Sequence, residues 1–352
     1  LGVTCQSERP EVYWFDPNRS KWQKSVDKAL THTVNRLVSA SQDGSKAIFL
    51  ASSDLTPGAY YLMDTKLLRL EKLFELAEWI HPEEMAEMTP IHYAARDGLT
   101  IHGYLTLPKG SSGKNLPLIV NPHGGPQARD VWGFDEEVQF FANRGYAVLR
   151  ANFRGSTGYG KSFEKAGNRE WGLKQQDDIT DGVNWAIEQG IADPKRICIY
   201  GASYGGFAAL TGLEKTPKLY RCGISYAGVI DVETTLRIHL DAAMLNPVQR
   251  LRLEEAALAE MLGTKKEQKD HWKEISPLSH VEQIEVPVLL AYSEYDHRVP
   301  IGPARDLAKE LKKRGKLYDF MVRDNEDHGF HQEVNRIALW KKVDEFLKAT
   351  MR

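Results

Sequence analysis

A chain of 352 residues with 42% apolar and 27% charged residues, 28 Gly and 16 Pro has the length for about two domains and a globular composition, neither fibrous nor disordered. Its formal net charge of −2 leaves no electrostatic footprint for nucleic acid or an acidic membrane. No apolar run approaches the roughly 20 residues that span a bilayer, and no charged segment followed by an apolar one opens the chain, so a soluble, cytoplasmic protein is expected.

The chain begins LGVTC without an initiator Met, which suggests a processed form or a fragment of a longer chain. From residue 11 to about 76, short β-type runs (EVYWFDP, RLVSASQDG, KAIFLASSD, GAYYLMDT, LEKLFEL) alternate with Asp-Gly and Pro-Gly turns, the pattern of antiparallel sheet. There is room for one or two four-stranded units of about 40 to 45 residues, but not for a closed propeller of about 4 to 8 blades. WIHPEEMAEMTP (79–90), with two prolines and an acidic patch, reads as a connector between a first domain over 1–85 and a second over 86–352.

RDGLTIHGYLTLP (96–108) is a hairpin-like pair. After it, the apolar strands PLIVNP, YAVLRANF, RICIYG, CGISYAG, VPVLLAYS and LYDFMVR alternate with helical stretches such as DEEVQFFANRG, DDITDGVNWAIEQG, PARDLAKELKKRG and NRIALWKKVDEFLKA. Short apolar strands separated by helices predict an α/β domain with a mostly parallel sheet covered on both faces. Residues 243–275 look like helices beside the site described below, as a cap, an oligomer contact or a solvated connection. Lys312, Lys313 and Arg314 close a predicted helix, where cations suit the negative end of the dipole. Of the cysteines Cys5, Cys198 and Cys222, the last two lie in apolar, β-branched runs and are predicted to be buried free thiols, with neither a disulfide framework nor a zinc site.

GASYGG (201–206) fits G-x-S-x-G and follows a β-branched strand, with FAALTGLEK as the next helix. Strand, sharp turn and helix in that order present a serine hydroxyl for nucleophilic attack. A serine needs a neighbouring base, and the base an orienting acid, here in the order Ser, acid, His at the ends of later strands. VPVLLAYSEYD supplies Asp296, with Glu294 as a local rival. LYDFMVRDNEDHG supplies His328, preferred to His297, which adjoins the acid, and to His331, at the start of the last helix. The negative oxygen of acyl transfer requires preorganised N–H donors. Tyr204, after the nucleophile, offers one, and the glycine-rich loop NPHGGP (121–126) should offer the second. GSTGYG (155–160) is neither a phosphate loop nor a dinucleotide fingerprint, and HGFH (328–331) lacks a further ligand set, so no cofactor or metal is expected.

RDGLTIHGYLTLP, NPHGGP, NFRGSTGYG, DDITDGVNW, DPKRICIYGASYGG, the Asp-His-Arg-Val run at 296–299 and DNEDHGF together cover residues 90–350 almost continuously. In these stretches the chain resembles the prolyl oligopeptidase family of serine peptidases, in its acylaminoacyl-peptidase and dipeptidyl-peptidase-like branches. The resemblance implies an α/β-hydrolase fold preceded by a small antiparallel segment like the last blade or two of a propeller. It also implies Ser203 as nucleophile, Asp296 as orienting acid, His328 as base and acid, and the N–H groups of Gly125 and Tyr204 as the oxyanion hole. Arg298 matches a position used to hold a substrate carbonyl, while Val229 and Val299, with the Tyr204 ring, would flank the residue preceding the cut bond. Two departures stand out. His123 replaces a Tyr found in some members at the start of the oxyanion loop, implying a purely backbone hole, and only a remnant of the propeller precedes the hydrolase domain.

The expected function is hydrolysis of short peptides through an acyl-enzyme, without cofactor, nucleic acid or membrane. The alternative is a carboxylesterase acting on small acyl esters, and a catalytically silent binding domain is a third reading. Strand edges left exposed without a propeller would favour a homo-oligomer.

Overall fold

Along the run KAIFLAS, alternate residues Ala47, Phe49 and Ala51 are buried. The computed structural model describes residues 1–236, 260–263 and 265–351. β1 (Gly2–Gln6) and β2 (Pro10–Trp14) form an antiparallel hairpin, and β3 (Val34–Ala40), β4 (Lys46–Ser52), β5 (Ala59–Asp64) and β6 (Arg69–Glu75) form a four-stranded antiparallel meander. Asp43-Gly44 and Pro57-Gly58 make turns at which both glycines adopt positive φ. Ala47, Phe49 and Met63 enclose a core with Val26.

Val26 belongs to an element absent from the sequence reading. α1 (Pro17–Ala29) lies where only β runs and turns were expected. The Asp16 carboxylate caps it by accepting the Arg19 N–H at 2.8 Å, and Pro17 occupies its first turn. Trp22, Val26 and Leu30, four apart, carry its apolar stripe into the core.

The connector expected over 79–90 also ends sooner than predicted. Its last residues already belong to β7 (Met88–Ala94), because Met88 and Tyr93 are buried strand residues, and β8 (Thr100–Thr106) follows the Asp97-Gly98 turn. Beyond them come β9 (Leu116–Val120), α2 (Glu136–Asn143), β10 (Ala147–Asn152), α3 (Lys161–Lys165), α4 (Lys174–Glu188), β11 (Ala192–Ala202), α5 (Tyr204–Lys215) and β12 (Cys222–Tyr226). α6 (Lys265–Glu274), β13 (Val288–Ser293), α7 (Ile301–Lys313), β14 (Leu317–Arg323) and α8 (Glu333–Thr350) complete the described chain.

Eight strands form one sheet in the order β14-β13-β12-β11-β9-β10-β8-β7, with β9, β11, β12, β13 and β14 mutually parallel. This is the expected α/β-hydrolase architecture, with the small antiparallel sheet at the N-terminal side. The central strands are apolar on both faces: Ile197–Tyr200 and Val288–Tyr292 are wholly buried. Cys198 and Cys222 face each other in register as buried free thiols, and Cys5 is exposed. Of the helical stretch expected over 243–275, residues 243–259 and 264 lie outside the described residues. Among the described residues no helix is long and apolar enough to cross a membrane.

By packing, the chain divides into two compact units. One comprises 1–91, 104–113 and 131–148, and the other 92–103, 114–130 and 149–352. In the first, Gln139 of α2 ties backbone to side chain: its amide donates to the Ala86 and Asp54 carbonyls and accepts the Ala86 N–H. In the second, Arg154 is buried with its guanidinium on Asp178, at 2.7 and 2.8 Å, and on Asp97, at 2.7 and 2.9 Å. The hydrogen bonds from Arg154 to Asp178 hold the guanidinium firmly protonated. Removing Asp178 takes away the buried carboxylate and leaves the buried guanidinium with the exposed Asp97 alone. Asp178→Ala is therefore expected to lower stability by about 3 to 5 kcal/mol, read as a fall in the urea midpoint; an unchanged midpoint would show that the network contributes nothing.

Candidate active site

β11 ends at Ala202 and α5 begins at Tyr204, so Ser203 alone makes the turn. Its φ of 58° and ψ of −121° are unusual for a residue with a side chain. A conformation of this kind costs on the order of 1–3 kcal/mol and persists only where neighbours enforce it. The enforcement comes from close backbone packing. A Cβ on Gly205 would lie 2.2 Å from the Pro122 carbonyl oxygen, and one on Gly201 would lie 2.3 Å from the Gly205 carbonyl oxygen. The Ser203 N–H donates to the Tyr226 carbonyl at 2.9 Å, while Gly206 and Phe207 donate to the Ser203 carbonyl.

Three residues distant in sequence meet here. Ser203 Oγ stands 2.9 Å from His328 Nε2, and His328 Nδ1 stands 2.7 Å from Asp296 Oδ2. The other carboxylate oxygen, Asp296 Oδ1, accepts the N–H groups of Arg298 and Val299, both at 2.8 Å. The Asp296 side chain is fully buried, whereas that of His328 is 16% exposed. The imidazole is thus anchored on its inner side and open to a reactant on its outer side.

The triad hydrogen bonds to Ser203 and Asp296 are made by His328 and not by the rival residues. Glu294 accepts Arg305 at 2.5 Å. His297 is exposed and donates its backbone N–H to Asp327, and the backbone N–H of exposed His331 goes to Glu326.

A cavity of about 440 Å³ adjoins Ser203 and His328, and Gly125, Tyr204, Val229, Arg298 and Val299 all line it. Gly125 has a φ of 128°, favourable only for glycine. The Tyr204 ring is buried against Phe153, Trp171 and Phe207, with its hydroxyl donated to Gln175 Oε1 at 2.6 Å. Burial pushes that hydroxyl's pKa well above its ordinary value, so it is un-ionised. The Arg298 guanidinium forms no hydrogen bond or ion pair with the described residues. No group of three or more His, Cys, Asp or Glu among them could hold a metal ion.

Sequence reasoning missed several contributors. Trp171, Val232 and Leu236 also line the cavity, but they belong to no motif, and their approach to Ser203 is purely tertiary, whereas Met261 and Leu262 of the cavity wall fall in the 243–275 stretch expected beside the site. The Tyr226 hydroxyl accepts the Phe330 N–H and so fixes the loop that carries His328. Glu326 is buried: burial alone would raise its pKa, but the N–H groups of His331 and Gln332 and the Asn335 amide hold it below the ordinary carboxylate range. An acid shortly before a helix was its one legible signal.

Comparison with known proteins identifies the family. The family model described as the prolyl oligopeptidase family matches residues 132–352. Dipeptidyl aminopeptidase BIII of Pseudoxanthomonas mexicana is 34% identical over 348 residues, covering 94% of this chain and 49% of that protein. A puromycin-hydrolyzing peptidase of Mycobacterium tuberculosis superposes with a TM-score of 0.82 at 24% identity, covering 100% of this chain and 53% of the other, a likeness of fold. The Pyrococcus horikoshii acylaminoacyl peptidase gives 0.73 at 25% identity, covering 89% and 48%. The chain spans about half the length of the first curated relatives it matches. With a family match over most of the chain and the Ser203 turn, His328 and Asp296 brought together within it, the chain belongs to the prolyl oligopeptidase family.

Proposed function

We propose that this chain is a serine peptidase that cleaves short peptides through an acyl-enzyme. The observation that carries the reading is the hydrogen-bonded series Ser203, His328, Asp296, with the serine held in a strained turn beside a cavity. In this mechanism a substrate carbonyl enters the cavity and Ser203 Oγ attacks its carbon as His328 Nε2 takes the hydroxyl proton. Asp296 accepts the Nδ1–H and so keeps Nε2 free to act as base. The Gly125 and Tyr204 N–H groups receive the negative carbonyl oxygen. His328 returns its proton to the departing amine as the C–N bond breaks. Water, deprotonated by His328, then attacks the acyl carbon, and the proton goes back to Ser203.

Arg298, free of partners among the described residues, would hold a substrate carbonyl, and Val229 and Val299 with the Tyr204 ring would pack on the residue preceding the cut bond. The relatives named for dipeptidyl and acylaminoacyl cleavage make N-terminally short or N-acylated peptides the substrates to try first.

Two substitutions test the assignment. Ser203→Ala is expected to abolish turnover of aminoacyl and N-acetyl-aminoacyl p-nitroanilides and of p-nitrophenyl esters alike; residual turnover near the parent rate would refute the role of Ser203. Serine-dependent cleavage of esters but not anilides would instead identify a carboxylesterase. Asp296→Asn keeps an oxygen for the Arg298 and Val299 N–H groups and turns an N–H toward His328 Nδ1. The imidazole must then carry its hydrogen on Nε2, the wrong tautomer for a base. A loss of about 10⁴ in kcat is expected, the scale known for a serine-protease triad; a loss below tenfold would mean that Asp296 does not set the tautomer.

A further inference from the structure

Two stretches of the cavity wall come from distant parts of the chain. Val232 and Leu236 follow β12, whereas Met261 and Leu262 precede α6. All four side chains are apolar, and apolar contact is non-directional. The separation of the two stretches therefore depends on what holds their main chain.

The end of α6 supplies that hold. The Trp272 indole is buried and donates its Nε1–H to the Leu262 carbonyl at 2.8 Å. The Trp272 carbonyl in turn accepts the Ser276 hydroxyl at 2.6 Å, and the same Ser276 oxygen accepts the Val232 N–H at 3.0 Å. Ser276 is 1% exposed, and with its one hydrogen committed to Trp272, its lone pairs are turned to Val232. A continuous hydrogen-bonded series thus runs from one wall to the other through Trp272 and Ser276. Its links are buried, where an unmade hydrogen bond is costly. The Met261 carbonyl accepts the Arg169 N–H at 2.6 Å, and Glu260 pairs with Lys165 at 3.1 Å, so the second stretch is also tied to the chain leading into Trp171. Arg169 has a φ of 61°, a conformation that neighbours must enforce in a residue with a side chain.

What the brace encloses is mostly carbon. Apart from Arg298, Gly125 and the candidate catalytic groups, the lining is apolar but for the Tyr204 hydroxyl, the Trp171 indole nitrogen and Thr235. The volume of about 440 Å³ is far more than a methyl side chain can fill.

We propose that Trp272 is a positioning residue that sets substrate specificity: bonded to Leu262 directly and to Val232 through Ser276, it fixes the apolar walls so that the cavity selects peptides with a large apolar side chain before the cut bond. This rests on the reading of the site as an acyl-transfer centre and names the substrate class for it. It also gives the end of the 243–275 stretch the role of a wall of the cavity.

The test uses N-acetyl-aminoacyl p-nitroanilides with Ala, Leu or Phe before the bond. Its readout is the ratio of kcat/KM for Leu or Phe to that for Ala, from which the amount of correctly folded enzyme cancels. One methylene in an apolar pocket is worth about 10- to 200-fold, so the parent should favour Leu and Phe by about tenfold or more. Leu262→Ala shortens the wall and should lower the ratio about tenfold, while Leu262→Met, of similar volume, should keep it. Trp272→Phe retains an aromatic ring without the N–H, and Ser276→Ala removes the link to Val232; each should lower the ratio several-fold. If only esters are cleaved, the same ratio is read on the corresponding p-nitrophenyl esters. A parent that cleaves the Ala and Phe substrates equally would overturn the proposal. So would Trp272→Phe and Ser276→Ala proteins that keep the parent ratio, even if both substrates slow together, the mark of a purely structural role. A parent inert toward every anilide and ester would overturn the acyl-transfer reading itself, an outcome distinct from a working parent indifferent to side-chain size.

Discussion

The constraint on which the site depends is the absence of side chains where three backbones meet. Gly205, in the first turn of α5, lies against the Pro122 carbonyl with no space for a Cβ, and Gly201 lies equally close to Gly205. Because these segments touch through main chain alone, the turn between β11 and α5 closes within one residue, and Ser203 is that residue. The strain at Ser203 is maintained by neighbours that would themselves have to move to release it. The same contact brings the 121–126 loop against the first turn of α5, so the proposed nucleophile and oxyanion donors are positioned by one packing event.

The proposed base and acid depend on a different physical device. Asp296 and His328 stand after β13 and β14, neighbours in the sheet, so their loops emerge side by side. Fine placement then comes from hydrogen bonds to main chain: two N–H groups on Asp296 Oδ1, the Tyr226 hydroxyl on the Phe330 N–H, and Glu326 gathering the N–H groups that precede α8. Each feature leaves a side chain one orientation in which its buried polar atoms are satisfied. The relay is thereby organised before any substrate arrives, the condition under which electrostatic stabilisation of a transition state is effective.

The parallel strands were legible because β9 to β14 are short apolar runs bounded by helices of clear periodicity, a pattern with few solutions. Ser203, Asp296 and His328 were legible because the order of strand ends restricts where a base and an acid can stand. α1 was not read: Asp16-Pro17 is a helix start that also suits a turn, and its apolar stripe of Trp22, Val26 and Leu30 is narrow within a run of β signals. Much of the cavity wall was not read either, since Trp171, Val232 and Leu236 approach Ser203 only through tertiary packing.

The central claim is that Ser203 is an activated nucleophile because the fold, and not the local sequence, supplies its base. The most direct measurement is fluorophosphonate labelling of the native and the urea-unfolded chain, with the adduct located by mass spectrometry. The account requires one stoichiometric adduct on the peptide carrying Ser203 in the native protein and none after unfolding. No adduct in the native protein, or labelling that survives unfolding or falls on another serine, would contradict it.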